Sequence, residues 1–226
     1  MKILIVEPHP DDAILSVFGA TRQWVTEGND VSIVSVAENH QKDSSNYCEY
    51  VRVKCLKTKM FPDVNFKSHR IPFNVIKEQG NQSYLYQREH YISAHSSVYN
   101  ELHQWYNNLL SDQLFGQFDM IVYPVGILHP FHVIVSSVFE RICTELAIAA
   151  MCYADMPYSN KGYGKVLIES AISSTNLRLY QEIQLAHGEV KRKLQLFRTF
   201  YKGESIHWDE PGMYEHSEKL FVYGAE

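Results

Sequence analysis

The chain has 226 residues, a hydrophobic fraction of 45%, a charged fraction of 21% and a formal net charge of −5 at pH 7. That size suits one domain with a proper core, and the acidic balance lacks the basic tract that nucleic acid would require of its main partner. No apolar run reaches the length of a membrane span, and the four cysteines show no CxxC spacing for a thiolate zinc site.

Ile3-Leu4-Ile5-Val6 is an unbroken apolar run, as suits a strand buried on both faces of a parallel sheet. Pro8 and Pro10 fix φ and remove backbone donors, so the chain leaves the sheet there. His9, Asp11 and Asp12 are thereby presented at the carboxyl end of the first strand, the edge where open α/β sheets bind ligands. Apolar residues then recur at Ile14, Val17, Phe18, Trp24 and Val25 with helical spacing, and Gly28 stands where a C-terminal cap belongs. Val31 to Val36 predicts a second buried strand, which makes the opening a β-α-β unit with a right-handed crossover. Residues 38–46 read as a polar loop, and Cys48, Val51, Cys55 and Leu56 predict a short helix.

Phe66 to Phe73 predicts a strand, and Tyr84 to Leu110 a long helix burying Ile92, Leu102, Trp105, Tyr106 and Leu109. Asp119 to Pro124 is a further apolar strand ended by proline, and a helix is predicted from His132 to Ala150. The rhythm then weakens. Val166 to Ser173 and Leu177 to Ile183 predict strands, Glu189 to Tyr201 a helix, and the tail after Gly203 has no readable pattern. Lys191, Arg192 and Lys193 read as a solvated helix face, and Cys48, Cys55, Cys143 and Cys152 as buried reduced thiols. No repeat divides the chain, so residues 1–226 read as a single α/β domain with a less regular C-terminal third. A strand pattern at the start, instead of a basic-then-apolar leader, predicts a cytoplasmic protein.

The later strand ends as the first does, with proline, and His129-Pro130-Phe131-His132 follows it. Two imidazoles three apart can face one centre when the second opens a helix. If the strands follow the doubly wound order, both motifs line the crevice where the connections reverse direction. His9, Asp12 and His132 would then supply two imidazole nitrogens and one carboxylate, with a fourth position open, as in catalytic zinc (Zn2+) sites. Ferrous iron (Fe2+) suits the same trio. Asp11 could take a proton from water, and His129 could donate a hydrogen bond to an oxyanion or a proton to a leaving amine. The plainer readings are a helix cap for the Asp-Asp pair and ordinary hydrogen bonding for the histidines. The other eight histidines have no comparable setting.

With Pro8-His9-Pro10-Asp11-Asp12 after one strand and His129-Pro130-Phe131-His132 after another, the chain resembles the LmbE-like, PIG-L-type metal-dependent deacetylases over roughly residues 1–150. A further echo is Lys193 to Tyr201, similar to a late helix of that family. The resemblance implies a Rossmann-like, mostly parallel sheet flanked by helices, and hydrolysis of an N-acetyl group from an amino sugar or sugar conjugate. It implies zinc on His9, Asp12 and His132, Asp11 as general base, His129 as oxyanion stabiliser, and Arg52 as a substrate contact. Tyr153, Tyr158, Tyr163 and Trp208 are candidate sugar-stacking residues. The small-molecule partner would be N-acetylated, and homo-oligomer formation is left open.

The chain departs from the family pattern in three places. Ala13 stands where the family has glutamate, a later glycine pair is reduced to Gly19, and Phe131 replaces the acid between the histidines. Loss of such an acid lowers activity if nothing replaces it, and Phe131→Asp would then raise it. The alternative is a metal-binding protein of this type with little or no deacetylase activity. A nucleotide-binding Rossmann protein is disfavoured, since the first turn lacks G-x-G-x-x-G and its aspartates repel a pyrophosphate.

Overall fold

A computed structural model describes residues 1–37, 41–62, 71–112, 118–160, 162–201 and 217–223. The apolar run forms β1 (Lys2–Glu7), buried from Ile3 onward. The chain then makes α1 (Asp12–Ser16) and α2 (Phe18–Thr26), separated at Val17 (φ −137°), where one continuous helix was expected. Gly28 at φ 82° turns the chain into β2 (Asp30–Ser35). The polar stretch expected as loop is partly helical, because α3 spans Gln41–Val51. Cys55 and Leu56 do not extend that helix; they lie in β3 (Lys54–Leu56), parallel to β2.

The expected strand at 66–73 falls mostly outside the described residues, and Phe73 opens helix α4 (Phe73–Glu78). The long helix is two, α5 (Ser83–Ala94) and α6 (Ser96–Ser111), broken at His95 with φ −128° and ψ 36°. The break resets the buried face to Leu102, Tyr106 and Leu110, and leaves Trp105 39% exposed. β4 (Met120–Pro124) and α7 (Pro130–Leu146) follow as expected. Ala147 in the left-handed region ends α7 early, so Ala149 and Ala150 open a strand, β5 (Ala149–Tyr153).

Two expectations fail beyond this point. Residues 166–173 lie in helix α8 (Gly162–Ser174), which buries Gly164, Leu167, Ser170 and Ala171 at helical spacing. The patternless tail contains β7 (Ser217–Tyr223). β6 (Leu177–Gln184) and α9 (His187–Phe200) agree with expectation to within two residues at either end. The basic triplet on α9 is not one solvated face. Lys191 and Arg192 are exposed, but Lys193 is buried with its Nζ 2.9 Å from Glu218 of β7. Glu218 also accepts from the N–H groups of Gly19 and Ala20 at the start of α2.

Among the described residues seven strands form one sheet in the order β3-β2-β1-β4-β5-β7-β6. The first five are parallel, and β7 runs antiparallel to both neighbours. Parallel strands need long crossovers, here helical, which cover both sheet faces with separate apolar layers. Connections from β1 run toward β2 and those from β4 toward β5, so a crevice opens between the carboxyl ends of β1 and β4. Among the described residues no helix is long and apolar enough to cross a membrane.

Candidate metal centre

Both histidine motifs reach that crevice. The turn after β1 is held in place by backbone bonds from Val36 to Glu7 and from Ala37 to Pro8, and by the Tyr201 hydroxyl donating to the Pro10 carbonyl at 2.5 Å. Glu7, fully buried, accepts from the Ala13 N–H at 3.1 Å and from the Ser35 hydroxyl. It thereby places a carboxylate beside the first turn of α1, where Ala13 has none to offer. Asp11 is the N-cap residue of α1, yet its side chain makes no capping hydrogen bond. The capping explanation for the Asp-Asp pair therefore fails at Asp11.

The turn after β4 needs special backbone. Gly126 takes φ 83°, and a Cβ there would sit 2.5 Å from that of Ser136. Leu128, at φ 62°, is held by Gln87 of α5, whose Oε1 accepts its N–H at 2.7 Å while Nε2 donates to the Gly126 carbonyl at 3.2 Å. This clamp presents His129 as the N-cap of α7 and His132 in its first turn.

Three donor atoms converge. His9 Nδ1 lies 3.1 Å from His132 Nε2, His132 Nε2 lies 3.3 Å from Asp12 Oδ2, and His9 Nδ1 lies 3.5 Å from the same oxygen. A tetrahedral ion with ligand bonds of about 2.0–2.1 Å has ligand–ligand edges of roughly 3.3 Å. The triangle matches one face of such a tetrahedron, so these residues fit zinc. Burial opposes ionisation of Asp12, but His132 and His9 outweigh it and lower its pKa below the usual carboxylate value.

His132 has a partner that the sequence reading missed. Its Nδ1 lies 2.7 Å from Asp155 Oδ1, and Asp155 Oδ2 accepts the Gly126 N–H at 2.9 Å. With the Nδ1 proton directed at Asp155, Nε2 keeps its lone pair toward the centre. Burial pushes the Asp155 carboxyl up, against the hydrogen bonds from His132 and Gly126. The signal for Asp155 is an acid just beyond a parallel strand, obscured because the helical pattern runs to Ala150, over the first two residues of β5.

His129 offers a second way to complete the site. Ligand atoms of His9, His129 and His132 lie within 4.8 Å of one another. However, His129 Nδ1 accepts the Phe131 N–H at 3.3 Å, which leaves the proton on Nε2. A ring in that tautomer is a donor and not a ligand, so Asp12 is the better third ligand. Burial first, then His132 and His9, hold the His129 pKa down to about 2, so the ring is neutral. Phe131 is fully buried against the His9 ring, with centroids 5.6 Å apart.

Arg52 requires a correction. It follows α3 and precedes β3, two residues before Lys54, which pairs with Asp30 at the start of β2. That is the amino edge of the parallel strands, opposite the crevice, so Arg52 is not at this centre. Of the aromatic candidates, Tyr158 is near the cluster, its ring centroid 5.4 Å from that of His132. Tyr153 is buried with its hydroxyl on the Val6 carbonyl, and Tyr163 stacks on Phe73. Trp208 lies outside the described residues.

No family model and no curated protein matches this chain. Solved structures do. The teicoplanin deacetylase in complex with teicoplanin has a TM-score of 0.59 at 12% identity, with 100% of both chains covered. Dbv21, the A40926 pseudoaglycone deacetylase, has 0.58 at 15% identity, covering 99% of this chain and 98% of that one. The N,N'-diacetylchitobiose deacetylase of Pyrococcus horikoshii has 0.54 at 13% identity, covering 98% and 84%. The chain shares its α/β fold with these deacetylases.

Proposed function

We propose that the chain is a zinc-dependent hydrolase that removes an N-acetyl group from an amino sugar or sugar conjugate. The carrying observation is the triangle of His9, Asp12 and His132, with edges of 3.1–3.5 Å, at the switch point of this fold. Zinc held there would acidify water and polarise an amide carbonyl. Support for a sugar conjugate comes from the similar structures, whose names specify the A40926 pseudoaglycone and N,N'-diacetylchitobiose. Residues 1–226 are read as one cytoplasmic catalytic domain.

In this reading Asp11 accepts the proton of the attacking water, as a half-buried carboxylate not engaged in capping its helix. His129 Nε2–H donates a hydrogen bond to the oxygen of the tetrahedral intermediate, and its neutral state keeps that donor in place across the working pH range. The proton held by Asp11 then passes to the departing nitrogen, which leaves as an amine. Tyr158 lines the approach to both histidines and offers a ring face to a sugar.

The buried apolar Phe131 favours a second reading, a metal-binding protein with little turnover. One experiment separates the two. Metal analysis of the purified protein is paired with an amine-release screen over N-acetylated sugars and their conjugates. Stoichiometric zinc with amine release supports the hydrolase. Zinc without release from any substrate supports the binding protein, and no zinc affinity removes both.

A further inference from the structure

Cys48, Cys143 and Cys152 are buried, whereas Cys55 is partly exposed. Cys55 lies on the edge strand β3, opposite Ile33 of β2, and Cys48 lies in the last turn of α3. The chain doubles back between them. The Val53 N–H donates to the Cys48 carbonyl at 3.0 Å, and Arg52 takes φ 61° at the corner. This return lays the end of α3 on β3 and sets the two thiols near enough for each to shift the other's ionisation. The Ser45 hydroxyl, one helical turn before Cys48, lies 3.7 Å from Cys55 Sγ, and the Lys57 charge faces the same sulfur.

We propose that Cys55 and Cys48 form a peroxide-oxidisable dithiol, with Cys55 the attacking sulfur and Cys48 the resolving one. The Cys55 thiolate attacks one oxygen of hydrogen peroxide and the O–O bond breaks. Sulfenic acid forms on Cys55, and hydroxide leaves to become water by taking a proton. The Cys48 sulfur then attacks the Cys55 sulfur as the S–O bond breaks, and its proton leaves with the hydroxyl as a second water. Two thiols are oxidised to one disulfide, and one peroxide is reduced to two waters.

The chemistry around each sulfur matches its role. The Cys48 thiol, against partial burial and with help from Ser45 and Lys57, pulls the Cys55 thiol down to about 6. Cys48 is pushed up by Cys55, by burial and by the Glu7 charge, and so stays protonated until the sulfenic acid forms. Cys143 is pushed up to about 12 by burial and by Glu140, which makes it an internal bystander. Attacking thiols of depressed pKa, partly exposed and beside a second cysteine, are the ones peroxide selects.

The test treats the purified full chain with a small excess of hydrogen peroxide, followed by intact mass and peptide mapping without reductant. The expected product has lost two hydrogen atoms and carries a Cys48–Cys55 cross-linked peptide. Cys48→Ser should instead stop at a dimedone-trappable sulfenic acid on Cys55, and Cys55→Ser should leave Cys48 reduced. Iodoacetamide labelling of Cys55 should have a midpoint near pH 6, moving upward by about one pH unit or more in Cys48→Ala. Should Cys143 or Cys152 oxidise first, or Cys55 oxidise without ever joining Cys48, the proposal is overturned.

Discussion

Asp155→Asn is the sharpest test of how the metal centre is held. The carboxylate has two obligations, His132 Nδ1 at 2.7 Å and the Gly126 N–H at 2.9 Å, and both need an acceptor. An asparagine has one acceptor oxygen. If the amide oxygen faces His132, the NH2 group meets the Gly126 N–H and leaves two donors opposed. If the NH2 group faces His132, it drives the ring to the other tautomer and places a proton on Nε2, where the metal lone pair is required. Loss of such an outer partner lowers metal affinity or activity by about 10–100-fold. That corresponds to roughly 1.4–2.7 kcal/mol. The assay is zinc affinity by competition with a chromophoric chelator near neutral pH, alongside metal-free thermal unfolding to separate folding from binding. A zinc affinity within twofold of the parent, with unfolding unchanged, would refute the argument that Asp155 sets the tautomer of His132.

Other perturbations follow from the same geometry. Asp11→Asn should retain zinc and lose about 10²–10⁴-fold in turnover, read as metal content against amine release, because only the base is removed. Phe131→Asp, which would raise activity if the missing acid were the limiting defect, should instead destabilise the fold by about 3–5 kcal/mol in denaturant unfolding. Its ring is fully buried, and an acid there would be charged in an apolar core. Glu218→Gln should cost about 3–5 kcal/mol in the same measurement, since it leaves Lys193 buried without a counter-charge, and Lys193→Met together with Glu218→Leu should recover part of it. Burial raises the phenols of Tyr84 and Tyr106 to about 12, above their unfolded value near 10. Stability from both is complete below pH 10 and lost as the pH rises toward 12, so the denaturant midpoint should fall across that window.

The sequence by itself determined the elements whose pattern is local. β1, β2 and β4 are apolar runs closed by turn residues, and their order implied parallel pairing. His9, Asp12 and His132 could be named because proline placed them at strand ends, and parallel sheets bind ligands along that edge. The distances that make these three one centre were not local. They depend on β1 and β4 being hydrogen-bonded neighbours, Ile3 opposite Met120 and Ile5 opposite Val122. Only the tertiary structure supplied Asp155, because its strand joins the sheet through pairing to β4 and not through its own periodicity. The same holds for Lys193, which looked solvated in a basic triplet until β7 brought Glu218 against it. Arg52 was expected at the site only through the family resemblance, whereas α3 carries it to the far edge of the sheet. Periodicity and turn chemistry act over a few residues, whereas ligand geometry and ion pairing here join positions 23 to 123 apart.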